Sequence, residues 1–113
     1  MPILISGTIA FPPGTEHFIG ATLYVMVEDV GMMGAPAQII AQHTQRNVSY
    51  DGSPIPFSLE GNMPPASNHY NLRVLVSFSG SNEIERGDFI TKQRYSVLQN
   101  GTPDTVRVQV ERV

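Results

Sequence analysis

Alternation between apolar and polar side chains is the feature that most constrains this chain. Residues 70–78 give the clearest case, because five apolar residues occupy every second position: Tyr70, Leu72, Val74, Val76 and Phe78. The same period of two recurs in four further segments: 21–28, 55–59, 89–97 and 106–110. Successive side chains of a strand point to opposite faces, so this period predicts strands with one buried face.

Three segments are less regular. Residues 3–10 begin with Ile3-Leu4-Ile5 and predict a first strand that contains Gly7. Residues 37–45 are compatible with a short helix by propensity, but the flanking β pattern favours a strand. Within 89–97 the centre, Thr91–Arg94, is polar. That polar centre predicts a bulge or an edge strand there.

Turn residues separate these runs along the whole chain. Nine prolines and ten glycines stand in the 113 residues, mostly between the alternating segments. Proline fixes φ and glycine tolerates positive φ, so both are typical of turns. About seven short strands with regular turns predict one antiparallel β-sandwich domain of Greek-key type over residues 1–113. A barrel is the structural alternative.

Composition excludes several classes of protein. The formal net charge is −3, without the basic surplus that nucleic-acid binders use to neutralise phosphates. Cysteine is absent, which excludes disulfides, thiolate zinc sites and lipid attachment within these residues. No apolar run is long enough for a transmembrane helix. The first residues do not form a signal peptide, so we expect a cytoplasmic protein or one whose leader was removed.

No catalytic or metal-binding constellation is evident in the sequence. The Gly-x-Ser-x-Gly elbow of serine hydrolases is missing. His17, His43 and His69 show no paired-ligand spacing and are interpreted as surface or edge histidines. The sequence therefore predicts no enzyme, no cofactor and no metal site.

Three residues are candidates for protein binding. Met32 and Met33 lie between glycines in a predicted loop, where flexible thioethers can adapt to a partner. Alternatively, one of them plugs the end of the sandwich. Leu75 interrupts the polar side of residues 70–78 and either joins an apolar patch or is covered by a neighbouring loop. Binding could also use an exposed sheet edge that accepts a partner strand.

An ordered set of segments resembles the YscW/YbaY-type bacterial lipoprotein family, which includes type III secretion lipoprotein chaperones (pilotins). The resemblance is strongest where a valine-rich strand, 21–30, is followed by Ala35-Pro36 and then by Pro54-Ile55-Pro56-Phe57. It extends over nearly the whole chain through five further segments: 5–9, 11–14, 37–41, 70–74 and 95–101.

The resemblance implies a β-sandwich carried behind a lipid-bearing cysteine, which would precede residue 1, in the periplasm or at the outer membrane. It implies a non-enzymatic chaperone that acts by protein binding. A secretin or another envelope protein is the expected partner, and no catalytic residues come with the family. The alternatives are a structural accessory domain and a transthyretin-like carrier of a small ligand. Hydroxyisourate hydrolases of that shape end in Tyr-Arg-Gly-Ser, whereas this chain ends in Val110–Val113.

Overall fold

The computed structural model describes residues 3–31, 36–65, 68–98 and 105–113, and these residues form β-strands joined by turns and loops. The strands are β1 (Ile3–Ala10), β2 (Phe18–Asp29), β3 (Gln38–Tyr50), β4 (Ile55–Glu60), β5 (Tyr70–Ser77), β6 (Phe89–Ile90), β7 (Ser96–Val97), β8 (Thr105–Gln109) and β9 (Glu111–Arg112). Within the described ranges, no helix is long and apolar enough to cross a membrane.

The strands form two sheets. The small sheet has the order β4-β1-β8, and the large sheet runs β3-β2-β5-β6-β9 with β7 also paired to β5. After the β2–β3 hairpin in the large sheet, β4 returns to pair with β1, which is a Greek-key connection. The predicted all-β sandwich is confirmed. One pairing departs from the antiparallel prediction, because β1 and β8 run parallel.

The core lies between the sheets and is built from the alternating residues that the sequence displays. On the large sheet, Val25 and Val27 of β2 face inward beside Val74 of β5, and all three are fully buried. The small sheet contributes Ile9 and Leu59, which are also fully buried. Burying each such side chain contributes about 1.5–3 kcal/mol. This shared burial holds the two sheets face to face.

Two of the less regular segments have different structures. Residues 37–45 belong to the strand Gln38–Tyr50, as the flanking pattern favours. Residues 89–97 form two short strands separated by a break instead of one bulged strand. At the break, the Thr91 hydroxyl accepts a hydrogen bond from the Val74 amide at 3.2 Å. The Asn71 side-chain oxygen accepts one from the Tyr95 amide at 2.9 Å. Polar side chains thus replace part of the backbone ladder.

Gly7 marks a close approach between β1 and β8. It pairs with Phe57 on one side and with Val106 on the other. A Cβ atom at residue 7 would lie 1.8 Å from the carbonyl oxygen of Val106, far inside van der Waals contact. A glycine within a strand often marks such an approach of another backbone. Gly7 therefore allows β8 to join the small sheet.

Gly7→Ala is expected to destabilise the protein by about 1–3 kcal/mol, the usual cost of forcing extra atoms into a packed interior. The free energy of unfolding in urea measures this loss. Gly14→Ala is the matched control, because Gly14 has a φ of 81° and no atom within 4 Å of the added methyl group. The control carries only the left-handed backbone cost of about 1–2 kcal/mol. Retention of full stability by Gly7→Ala would contradict the close approach.

Candidate protein-binding surface

The outer edge of the large sheet is the most extended unpaired backbone in the described part of the chain. β3 is 13 residues long and pairs with β2 on one side only. At the opposite edge of this sheet, β9 has two residues. Backbone N–H and C=O groups alternate in direction along a strand, so half of those in an edge strand face away from the sheet. β3 therefore presents a row of unused hydrogen-bonding groups.

The composition of β3 explains why this edge is exposed. Val48 is its one buried residue, and most of the others are polar side chains that remain in solvent. Arg46 is the one Lys, Arg, Asp or Glu residue in the strand, and no proline occurs in it. Charged side chains and proline commonly prevent an edge strand from pairing with another chain. β3 has only one such residue, Arg46.

A β-bulge bends the start of β3. Val27 pairs with Ala41 and the next residue, Glu28, pairs with Ile39, so Ile40 is an extra residue. Ile39 and Ile40 are 52% and 40% exposed at this bulge. An extra residue leaves a strand locally bent and more twisted. The bulge thus sets two isoleucines at the corner of the open edge.

A second bulge bends the far end of β3. Leu23 pairs with Gln45 and Ala21 pairs with Val48, so β3 has one more residue than β2 in this interval. Asn47, within the interval, has a φ of 57°. Asparagine tolerates this left-handed conformation better than most residues. Between the two bulges, β3 is regular from Ala41 to Gln45.

The regular stretch, Ala41–Gln45, borders a polar cleft between the two sheets. Ala41 and His43 lie opposite Val27 and Val25 and share the inward-facing side of the sheet. Gln42 and Thr44 are exposed, and the side-chain amide of Gln42 donates to the Thr44 hydroxyl at 3.2 Å. A cleft of about 350 Å³ is lined by Gln42, His43, Ser58 and Glu60. The edges of β3 and β4 therefore meet at one side of the sandwich.

Leu75 lies elsewhere, on the outer face of the large sheet. It is 2% exposed and clusters with Tyr24 and Met26, with Ile90 packed against them. The Tyr24 hydroxyl donates to the Gly80 carbonyl at 2.6 Å, which ties the loop after β5 to this face. Leu75 is thus covered by side chains of the neighbouring strands β2 and β6. Its role in binding stays a prediction.

Met32 and Met33 fall outside the described residues. Along the sequence they stand between the end of β2 at Asp29 and the start of β3 at Gln38. Their role in binding stays a prediction.

An ion pair occupies the outer face next to Leu75. Arg73 Nη1 donates to Glu28 Oε2 at 3.3 Å, and the side-chain amide of Asn71 donates to the other carboxylate oxygen at 3.4 Å. Glu28 is largely buried, whereas the side chain of Arg73 is 41% exposed. Burial of a carboxylate is tolerated when such donors satisfy its oxygens. These contacts give Glu28 a structural role in joining β2 to β5.

An aromatic cluster closes one end of the sandwich. The ring centroid of Phe11 lies 4.5 Å from that of Tyr50 and 5.1 Å from that of Phe89. Phe18 and Phe78 extend the cluster, with their centroids 5.0 Å apart. The sequence analysis did not identify this cluster. The available signal was that each aromatic residue stands at or near the end of an alternating run.

The histidines are dispersed in the part of the chain that the structure describes. His43 lines the cleft beside β3, and the ring of His17 packs edge-on against Tyr50 with centroids 5.8 Å apart. Within the same residues, no group of three or more His, Cys, Asp or Glu side chains could hold a metal ion.

Comparison with known proteins identifies the family. The family model for the type III secretion system lipoprotein chaperone (YscW) matches residues 3–110. Because the match covers nearly the whole chain, the protein belongs to this family. Among solved structures, an alternative pilotin from the type II secretion system of Vibrio cholerae has a TM-score of 0.77 and 24% sequence identity. The alignment covers 96% of this chain and 95% of that one, which shows that the fold is shared. No matching curated protein was found.

Leu75→Ala is expected to lower the free energy of unfolding by about 2–5 kcal/mol, because it leaves a cavity beneath Tyr24 and Met26. Chemical denaturation measures the change. Ile40→Ala is the control, since the side chain of Ile40 is 40% exposed and its removal should cost much less. Equal stability losses for the two variants would contradict the burial of Leu75.

Proposed function

We propose that this protein is a non-enzymatic envelope chaperone that binds a secretin. The observation that carries the proposal is the match to the type III secretion lipoprotein chaperone family over residues 3–110. The pilotin of Vibrio cholerae with the same fold supports it. The match does not favour the small-ligand carrier or the structural accessory domain.

Several features are consistent with binding instead of catalysis. The carboxylate of Glu28 is engaged by Arg73 and Asn71, so it is held as part of the sheet. In the described part of the chain, the large sheet has an unpaired edge strand that contains two exposed isoleucines near its start. Such an edge offers backbone hydrogen bonds and apolar contact to a polypeptide.

The proposed location follows from the same family. We place the domain in the periplasm or at the outer membrane, tethered by a lipid on a cysteine outside these 113 residues. A lipid anchor would hold the chaperone at the membrane in which a secretin ring assembles. Tethering also raises the local concentration of the binding site without any additional contact.

Met32 and Met33 are proposed as contact residues for the secretin. Their place in the sequence, in the connection between the end of β2 and the start of β3, supports the proposal. Methionine side chains are unbranched and polarizable, so they adapt to irregular apolar partners.

Deletion of the gene is expected to lower the amount of assembled secretin in the outer membrane, because an escort is lost. Membrane fractionation followed by detection of secretin multimers measures the effect. The purified chain is also expected to bind the secretin of the same genome directly. Normal secretin assembly together with no direct binding would contradict the proposal.

Methionine variants refine the direct binding measurement. The double variant Met32→Ser/Met33→Ser is expected to weaken secretin binding by about tenfold, which corresponds to about 1.4 kcal/mol. Met63→Ser is the matched control, because Met63 is 65% exposed in a different connection. If both proteins bind as tightly as the unmodified chain, the two methionines have no part in the interface.

A further inference from the structure

We propose that the regular stretch of β3, Ala41–Gln45, binds an extended segment of the partner protein as an added strand. The inference rests on the proposed function and identifies the surface that performs it. The chemistry is that of backbone pairing, in which unpaired N–H and C=O groups recognise another extended backbone. Five residues of strand give about 17 Å of continuous edge.

The other edges are less suitable for an added strand. β4 contains Pro56, which lacks a backbone N–H group, and this is a common guard of an edge. β8 carries the exposed charge of Arg107 and is followed by Val110, whose amide donates to the Ala10 carbonyl at 3.1 Å. β9 is two residues long. By contrast, Ala41–Gln45 contains no proline and no Lys, Arg, Asp or Glu residue.

The bulges favour a flexible segment over a second copy of this chain. Two β3 edges that met would each bend at Ile40 and again near Asn47, so regular pairing would stop after five residues. A contact of that size lies well below the roughly 1,000 Å² that a stable protein interface needs. A flexible segment can follow the bends, and it gains further contacts on both sides of the strand. The proposed occupant is therefore an extended segment of the secretin.

The side chains around the edge define which segment fits. Along the edge that faces β4, the segment meets the cleft lined by Gln42, His43, Ser58 and Glu60. Polar or basic side chains suit this cleft because Glu60 is negatively charged and the other three residues form hydrogen bonds. At the corner, Ile39 and Ile40 offer apolar contact. A matching segment carries an apolar residue at one end and polar residues at alternate positions along the cleft.

Residue-resolved hydrogen exchange tests the proposal on the complete chain. The probes are overlapping 15-residue peptides that span the secretin of the same genome, together with the whole secretin. In the free protein, the amides of Ala41–Gln45 that face outward should exchange rapidly. With a binding peptide at 100 times its Kd, their exchange should slow by about 100-fold. The amides of β8 (Thr105–Gln109) serve as the internal control and should not change.

Proline substitutions provide an independent measurement. Successive backbone N–H groups of a strand point to opposite sides. Of the two variants Gln42→Pro and His43→Pro, one therefore removes an N–H that points outward, and the other removes an N–H that pairs with β2. The outward variant should keep its melting temperature and lose peptide binding. The inward variant should be destabilised, because it breaks the ladder.

The outcomes separate this inference from the proposed function. If neither the secretin nor any peptide binds, both are wrong. If the secretin binds but no peptide does, or if a peptide binds without protecting the outward amides of β3, the chaperone role stands and the added strand is excluded. Peptide binding that survives the outward proline variant also excludes it.

Discussion

The central position of β2 is the constraint on which the rest of the structure depends. β2 pairs with β3 on one side and with β5 on the other, and its alternate residues Leu23, Val25 and Val27 are fully buried against the small sheet. Each of these side chains contributes about 1.5–3 kcal/mol, whereas a domain has a net stability of about 5–15 kcal/mol. Loss of this one strand would therefore abolish the fold.

The exposure of β3 follows from that arrangement. β2 and β5 provide most of the core residues of the large sheet, so β3 has little apolar burial to supply and can be polar. Its position is held mainly by the ladder with β2, which continues through two bulges in β3. The sheet thereby keeps an open edge without exposing a long flat strand. Such an edge can accept a flexible segment while resisting pairing with a copy of itself.

Much of the fold was predictable, because burial of one face imposes a period of two on the sequence. This pattern predicted β2, β4, β5 and β8, the run Ile3-Leu4-Ile5 predicted β1, and the flanking pattern favoured β3 over a helix. The parallel pairing of β8 with β1 was not predictable, since sequence alternation carries no information on strand direction. The break at Thr91 depends on the Val74 amide, which lies far from it in the sequence.

The candidate site was less predictable than the fold. Bulges arise from the register between two strands, so neither Ile40 nor Asn47 shows its role in the sequence alone. Leu75 has the sequence pattern of a patch residue, but Tyr24 and Met26 of β2 cover it, and their place beside it depends on the register between β2 and β5. The aromatic cluster likewise joins Phe11 to Phe89, which are separated by most of the chain. An exposed edge was foreseen in general terms, whereas its identity as β3 required the topology.

Photo-crosslinking in cells tests the central claim, that β3 contacts the secretin, most directly. A photoreactive amino acid would replace Thr44 on the regular stretch of β3 or, as a control, the exposed Arg107 on β8. Irradiation of cells that make the secretin should crosslink it to the protein labelled at position 44 and not to the one labelled at position 107. Equal crosslinking at both positions, or crosslinking at position 107 alone, would contradict the account.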